Sequence, residues 1–342
     1  MPRSTPRTLT LRELNRATLA RQLLLERARL SVPSAVARLC AMQAQSAPEA
    51  YLGLWTRLHA FRKELLTAAL ERRRVVRATL FRMTLHFVSA GDHPAFAAVV
   101  HERWRQAMRD EGLPVEALAR RIERLADNGT FTYRDAEDAS PELGERRFRV
   151  RCVTPLVHVP PSGTWGTTRV RLTTAERWLG RPVPPAAEAA ALVVRRYLGA
   201  FGPATRQDLM QFSGLRVADV APALETLDGR LRRFHDDEGR DLVDIPRAPL
   251  PGADTPAPVR FLPRWDAILL SHADRARVLP AEYARAVITG GWVHPTFLVD
   301  GVVAGLWRQE DGKVKTEPFA PLPRSVRREV EEEAARLAAF LA

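Results

Sequence analysis

Residues 190–229 read AALVVRRYLGAFGPATRQDLMQFSGLRVADVAPALETLDG, and their punctuation decides the fold. The apolar spacing predicts a helix up to Gly202-Pro203, a short second helix, a turn at Gly214 and a third, amphipathic helix. That is the order of a helix-turn-helix. Residues 231–246, LRRFHDDEGRDLVDIP, follow with two strand-like runs around Asp237, Glu238 and Gly239. Helices followed by a small hairpin are the outline of a winged-helix module.

The outline recurs upstream. Helical periodicity runs through residues 11–27, with Leu11, Leu14, Leu19, Leu23 and Leu24 on one broad face, then through 31–43, 47–61 and 62–74. Residues 75–90, VVRATLFRMTLHFVSA, switch to β-branched and aromatic residues at period two, which predicts two short strands around Arg82 and Met83. A further round has helices over 95–112, 114–129 and 132–140, then a hairpin-like stretch from Val150 to Gly180 turning at VPPSGTW. The Pro- and Gly-rich residues 247–260 read as a linker. Beyond it, Asp300-Gly301 and Asp311-Gly312 predict hairpins joining three strands, ahead of a terminal helix. The expected fold class is mostly α with small β-hairpins (α+β). Its modules are residues 1–92, 93–182 and 183–248, followed by a β-rich C-terminal part over 258–342.

The chain has 342 residues, 46% apolar, enough for two or three modest cores. Its formal net charge is +12, nearly all from arginine, with lysine only at Lys63, Lys313 and Lys315. Such a balance arises from a GC-rich genome or from a polyanionic partner held by counterion release. Arginine is the better fork for phosphates and base edges. Cys40 and Cys152 stand far apart in apolar runs, and no Cys/His grouping has metal-ligand spacing, so neither a disulfide framework nor a metal site is expected. The basic amino terminus lacks a secretory apolar core, and no run is long enough to span a membrane. A cytoplasmic, nucleoid-associated protein without cofactor is the expectation.

One short stretch stands apart, Met42-Gln43-Ala44-Gln45-Ser46. Two amides at i and i+2 diverge by roughly 200° on a helix but share a side on an extended chain. If the helix ends near Met42, Gln43 and Gln45 can address one point.

Four stretches in order, residues 38–58 (RLCAMQAQSAPEAYLGLWTRL), 75–93 (VVRATLFRMTLHFVSAGDH), 200–215 (AFGPATRQDLMQFSGL) and 261–275 (FLPRWDAILLSHADR), resemble the AlkZ/YcaQ family of winged-helix DNA glycosylases. The resemblance spans almost the whole chain. It implies tandem winged helices around a basic concave channel, and hydrolysis of the N-glycosidic bond of alkylated purines, including the unhooking of interstrand crosslinks. The family's signature is Gln, an aliphatic residue, then Gln, with Asp in the second place in the YcaQ branch. Gln43-Ala44-Gln45 is therefore similar to the AlkZ branch, with a smaller middle residue.

The amides make chemical sense for such a substrate. A neutral glutamine is a poor general base, yet it offers an acceptor oxygen and two donors with which to hold a water. Sugar hydrolysis usually needs two carboxylates, one of them to protonate the leaving group. An N7- or N3-alkylated purine already carries positive charge and departs neutral, so no general acid is required. Gln43 and Gln45 are thus the candidate catalytic residues, orienting the water that captures an oxocarbenium-like centre.

Further candidates are DNA contacts. Arg82, Thr84 and His86 alternate on one predicted strand face, and the resemblance places a similar Arg…Thr-Leu-His run near the active site. Arg72, Arg73, Arg74 and Arg77 form a cluster suited to phosphates, or a solvated helix end. Arg206 and Arg216 flank the helix-turn-helix. Asp266 resembles an acidic family position that orients a neighbouring loop, and it equally suits a helix cap. Trp165, Trp178, Trp265 and Trp307 read as packing anchors. Double-stranded DNA carrying alkylated purines is the expected partner and a monomer the expected state. Two other functions remain open on sequence: a promoter-binding regulator, whose recognition helix would need more base-reading side chains than RVADVAPALETL has, and a drug-sequestering resistance protein.

Overall fold

A computed structural model describes residues 6–342, leaving the first five residues of the basic amino terminus outside the described part. The chain opens with strand β1 (Arg7–Leu9) and helices α1 (Leu11–Arg21) and α2 (Val32–Arg38). Strand β2 (Met42–Gln43), helices α3 (Ala47–Arg57) and α4 (Lys63–Glu71), and the hairpin β3 (Val75–Thr79)–β4 (Leu85–Ser89) follow. Next come helices α5 (His93–Asp110), α6 (Val115–Asp127), α7 (Tyr133–Asp138) and α8 (Val150–Val153), strands β5 (Leu156–His158) and β6 (Leu172–Thr174), and helix α9 (Ala175–Leu179). Helices α10 (Ala186–Phe201), α11 (Arg206–Ser213) and α12 (Val217–Leu227) then precede strands β7 (Arg232–Asp236) and β8 (Asp241–Asp244). The end piece holds β9 (Arg260–Leu262), α13 (Ala284–Val287), β10 (Ile288–Thr289), β11 (Trp292–Val293), β12 (Thr296–Val299), β13 (Val302–Glu310), β14 (Lys313–Pro318) and α14 (Arg324–Leu341).

The helix-turn-helix stretch folds as its punctuation predicts. Thr205 caps α11, reciprocated by Asp208, and Gly214 closes it at φ 70°, a left-handed position that glycine takes without steric cost. Both Asp-Gly pairs form tight hairpins: Asp300 and Gly301 have φ 46° and 83°, Asp311 and Gly312 have 50° and 72°. Positive φ at both central residues matches the right-handed twist of the flanking strands. The resulting four-stranded sheet runs β14-β13-β12-β9, and α14 packs Val330 and Leu337 against its Phe261, Phe297 and Trp307.

Other elements depart from their sequence outline. The first helix ends at Arg21 rather than near Arg27, and Leu23 turns at φ 57°. The turn divides the leucines between two cores: Leu23 joins Val36 and Leu39, while Leu19 and Leu24 join Leu262 and Leu269. Residues 150–153 make a helical turn instead of starting a hairpin, which buries Val150, Cys152 and Val153 together. The hairpins of the first two stretches also merge into one sheet, ordered β2-β4-β3-β5-β6, through pairing of Ala78 with Val157.

Helix α1 is buried on nearly every side from Leu14 onward, Arg16 and Arg21 included. Arg21 makes a bidentate pair with Asp244, the last residue of β8, at 2.6 and 2.9 Å and donates to the carbonyls of Leu198 and Pro249. Asn15 donates to the carbonyls of Arg277 and Gly301, and Arg16 bonds Asp300. The helix thereby ties the helix-turn-helix region to the end piece. An aromatic core of Phe81, Phe96, Tyr197, Phe201 and Phe212, with neighbouring centroids 5.0–5.5 Å apart, joins the β3–β4 hairpin to α5, α10 and α11.

Candidate active site

Helix α2 stops a full turn before the glutamine pair. Leu39 caps it, Cys40 takes φ 69°, and the chain leaves extended. Met42 and Gln43 pair antiparallel with Phe87 and His86, and the Ala44 N–H donates to the Leu85 carbonyl at 2.7 Å. Met42 seats its Cε against Gly53 of α3, where a Cβ would lie only 2.8 Å away. Alternation then puts Gln43 and Gln45 on one side and Ala44 on the other. Ala44 is fully buried beside Val36, Tyr51 and Phe87, Gln43 is half-buried, and Gln45 is exposed.

Protein donors fix which way each amide points. Arg82 donates through Nη2 to Gln43 Oε1 at 3.1 Å, and the Leu85 N–H donates to Gln45 Oε1 at 2.9 Å. Both donors lack acceptor capacity, so the atoms they meet must be the amide oxygens. Each amide keeps its NH2 group and a second oxygen lone pair free for a ligand.

Two arginines of the β3–β4 hairpin brace the pair. Arg77, buried, donates from Nε and Nη2 to the Ala44 carbonyl at 3.0 and 2.7 Å, and from Nη2 to the Gln45 carbonyl at 3.0 Å. It therefore leaves the surface cluster, in which Arg72, Arg73 and Arg74 remain exposed. Of those three, Arg73 lies over the Trp178 ring at 4.1 Å. Arg82 reaches the other way as well: Nη1 donates to the Phe212 carbonyl at the end of α11. A Cβ on Gly214 would stand 3.4 Å from Arg82 Cγ, so the helix-turn-helix turn rests on this arginine. Burial pushes the Arg82 guanidinium down to about 10, which leaves it charged at neutral pH.

The expected single face of Arg82, Thr84 and His86 does not form. Residues 81–83 make a tight 3₁₀ turn with Arg82 and Met83 at φ 53° and 59°, so the strand begins only at Leu85. The turn frees Arg82 to reach Gln43 and sends His86 inward. His86 is 1% exposed, lies edge-on to Phe81 and shares a 2.9 Å hydrogen bond between Nδ1 and the Thr84 carbonyl. Burial, then the charge of Arg82, pushes its pKa down to about 3, so the ring is neutral. Thr84 is half-buried and donates to the Phe81 carbonyl. Arg206 and Arg216 are exposed at the starts of α11 and α12, and Arg216 pairs with Asp219 at 3.5 Å.

Behind the motif, α3 is tied to residues 261–275 by two ion pairs. Arg57 and Asp266 meet bidentately at 2.8 Å on both arms, and Asp266 also accepts from the Ile268 N–H, so it orients and caps at once. Glu49 accepts from the N–H and Nε of Arg264 at 2.9 and 2.7 Å. Glu49 and the inward role of Arg77 were not anticipated. The available signal was Arg77 itself, a lone charge inside the apolar run VVRAT, every residue of which is buried. Among the described residues, no group of His, Cys, Asp and Glu is placed to hold a metal ion, and no helix is long and apolar enough to cross a membrane.

Comparison with known proteins gives this geometry its family. The interstrand DNA cross-link repair glycosylase of Streptomyces sahachiroi is 26% identical, the similarity covering 93% of each chain. The solved structure of Streptomyces sahachiroi DNA glycosylase AlkZ shares the fold, with a TM-score of 0.81 at 22% identity over 97% of this chain and 96% of that one. The model of the family described as DNA glycosylase AlkZ-like matches residues 36–340, a span that takes in the glutamine pair, both bracing arginines and the end piece. An enzyme acting on DNA thus replaces the regulator and sequestration readings, and the chain belongs to the AlkZ-like family of DNA glycosylases.

Proposed function

We propose that this DNA glycosylase hydrolyses the N-glycosidic bond of cationic alkylated purines, N7-alkylguanine foremost, in double-stranded DNA. Gln43 and Gln45 hold the attacking water. The observation that carries the reading is the pair of amides on one side of an extended strand, each with its oxygen already anchored by a protein donor. A water between them is held by hydrogen bonds without being deprotonated, which suffices when the leaving base is already cationic. The buried carboxylates that share a small cavity with Gln43, Glu49 and Asp266, are engaged by Arg264 and Arg57, so neither is free to act as general acid.

Water rather than an amine is the nucleophile, which makes the enzyme monofunctional. The lysine nearest in sequence, Lys63, has its ammonium 4.3 Å from the Trp165 ring centroid, and the other two lie on β14. The Streptomyces relative is named for cross-link repair. A crosslinked N7-alkylguanine presents the same cationic linkage, so unhooking falls within this chemistry. Three helix-and-hairpin modules over residues 1–92, 93–182 and 183–248 cradle the duplex, with the C-terminal part over 258–342 behind them. One chain supplies a DNA-length surface, and the enzyme works as a monomer at the nucleoid. Arg72, Arg73, Arg74, Arg206 and Arg216 are the exposed candidates for phosphates.

The test uses a duplex with a single N7-methylguanine, incubated with protein and then heated in alkali. Wild type yields strand cleavage at the lesion. Gln43→Ala and Gln45→Ala bind the duplex as wild type does but fail to release the base; wild-type release by both variants sinks the assignment.

A further inference from the structure

We propose that Arg77 is a positioning residue for base excision: locked against Gly163, its guanidinium holds the Ala44 and Gln45 carbonyls and so sets the spacing of the two glutamines. The inference rests on the catalytic reading of Gln43 and Gln45. Its geometry is specific to arginine. Nε and Nη2 share the Ala44 carbonyl at 3.0 and 2.7 Å, and Nη2 reaches the next carbonyl, of Gln45, at 3.0 Å. A planar fork spans two consecutive carbonyls, whereas a lysine ammonium offers one point charge on a flexible stem.

The cost of this arrangement argues for a purpose. A buried cation is normally paired, because desolvation is expensive. Arg77 is 8% exposed and, among the described residues, meets no carboxylate within ion-pair distance. Its hydrogen-bond partners are the two backbone carbonyls of the motif. A packing role would be filled at lower cost by methionine or leucine.

The clamp is closed from a different part of the chain. Gly163, in the loop between β5 and β6, lies over the side chain of Arg77; a Cβ there would come 2.9 Å from Cδ and 3.6 Å from Cβ of the arginine. Its φ of 87° also disfavours any side chain. The loop is held in turn, since Ser162 Oγ lies 2.7 Å from His158 Nδ1 and Trp165 packs edge-on against Tyr51 of α3. The spacing of the glutamines thus depends on residues 158–165, which reach the motif's carbonyls through Arg77 and its apolar side through Trp165 and Tyr51.

Four variants of the full chain test this on the N7-methylguanine duplex: Arg77→Lys, Arg77→Met, Gly163→Ala and Gln45→Ala. Single-turnover rate at saturating protein, duplex affinity and thermal midpoint are measured for each. Arg77→Met and Gly163→Ala lower the saturating rate roughly 10- to 100-fold, the scale of sub-ångström misplacement, with affinity unchanged. Arg77→Lys recovers part of the rate. Weakened affinity with a wild-type saturating rate would make Arg77 a phosphate contact and overturn the proposal. Wild-type rates in Gly163→Ala and Arg77→Met overturn it too, while inactive Gln45→Ala leaves the catalytic reading standing. If Arg77→Met does not fold, Gly163→Ala, which deletes no charge, decides alone.

Discussion

The N–H of Leu85 donates to the side-chain oxygen of Gln45 at 2.9 Å, so a side chain continues the ladder that Met42 and Gln43 begin with Phe87 and His86. Gln45 is exposed, and water can satisfy Leu85 in its absence. The net worth of that hydrogen bond is about 1 kcal/mol or less. Gln45→Ala is therefore expected to lower stability by no more than about 1 kcal/mol in a urea titration, while base release is lost. A variant that loses both in proportion would make Gln45 a structural residue.

Arg82 and the exposed arginines separate by salt dependence. Arg82 spends its guanidinium on Gln43 and Phe212, whereas Arg72 and Arg74 extend into solvent. Each phosphate contact removed lowers the slope of log affinity against log salt by about 0.9. Arg72→Ala and Arg74→Ala are expected to reduce that slope and leave the saturating rate intact. Arg82→Lys should do the reverse, because Gln43 loses its anchor while the phosphate count is unchanged.

These contrasts follow from what a sequence can and cannot carry. Local chemistry was legible: Gly214 as a left-handed cap, the two Asp-Gly hairpins and the extended exit at Gln43 each depend on a few neighbouring residues. Long-range choices were not. Arg77 and Arg72 belong to one arginine-rich run, and although the apolar neighbours of Arg77 mark it as buried, nothing nearby announces the Ala44 and Gln45 carbonyls it holds or Gly163, 86 positions further on, which covers it. The parallel pairing of β1 with β7 has the same character, since nothing near Arg7 announces Phe234. The buried arginines of α1 contradict the helical pattern itself, and Asp244 and Asp300, which neutralise them, lie more than two hundred residues away.

The Arg57–Asp266 pair yields a stability prediction. Both side chains are at most 3% exposed, and Asp266 accepts from both arms of the guanidinium. Removing one partner leaves a buried charge unpaired, which costs about 3–5 kcal/mol. Asp266→Ala is expected to lose that much in denaturant unfolding. Arg57→Met combined with Asp266→Leu should recover a large part of it, because no orphan charge remains. Equal losses in the single and double variants would mean that packing, not charge pairing, makes the contribution.

The last prediction concerns pH, where stability and chemistry part company. Burial pushes the pKa of His86, His93 and His272 down to about 3 and that of His101 to about 4, with Arg82, His101, Arg277 and Arg105 adding to the respective shifts. In the unfolded chain these rings titrate near 6.5. Between the two values the unfolded state binds more protons, so stability rises with pH. It is fully present above about pH 6.5 and is lost as pH falls toward the folded values, at up to about 1.4 kcal/mol per pH unit for each ring. The thermal midpoint should therefore drop already between about pH 6.5 and about pH 5, above the range in which most carboxylates titrate. Glutamine amides do not titrate in this range, and the quaternised N7 of the base has no proton to lose. The single-turnover excision rate of the folded enzyme is accordingly expected to stay flat from about pH 6 to about pH 8, without the bell shape of a carboxylate pair. A bell-shaped rate profile would transfer the chemistry from Gln43 and Gln45 to a titrating group, with Glu49 the first to substitute.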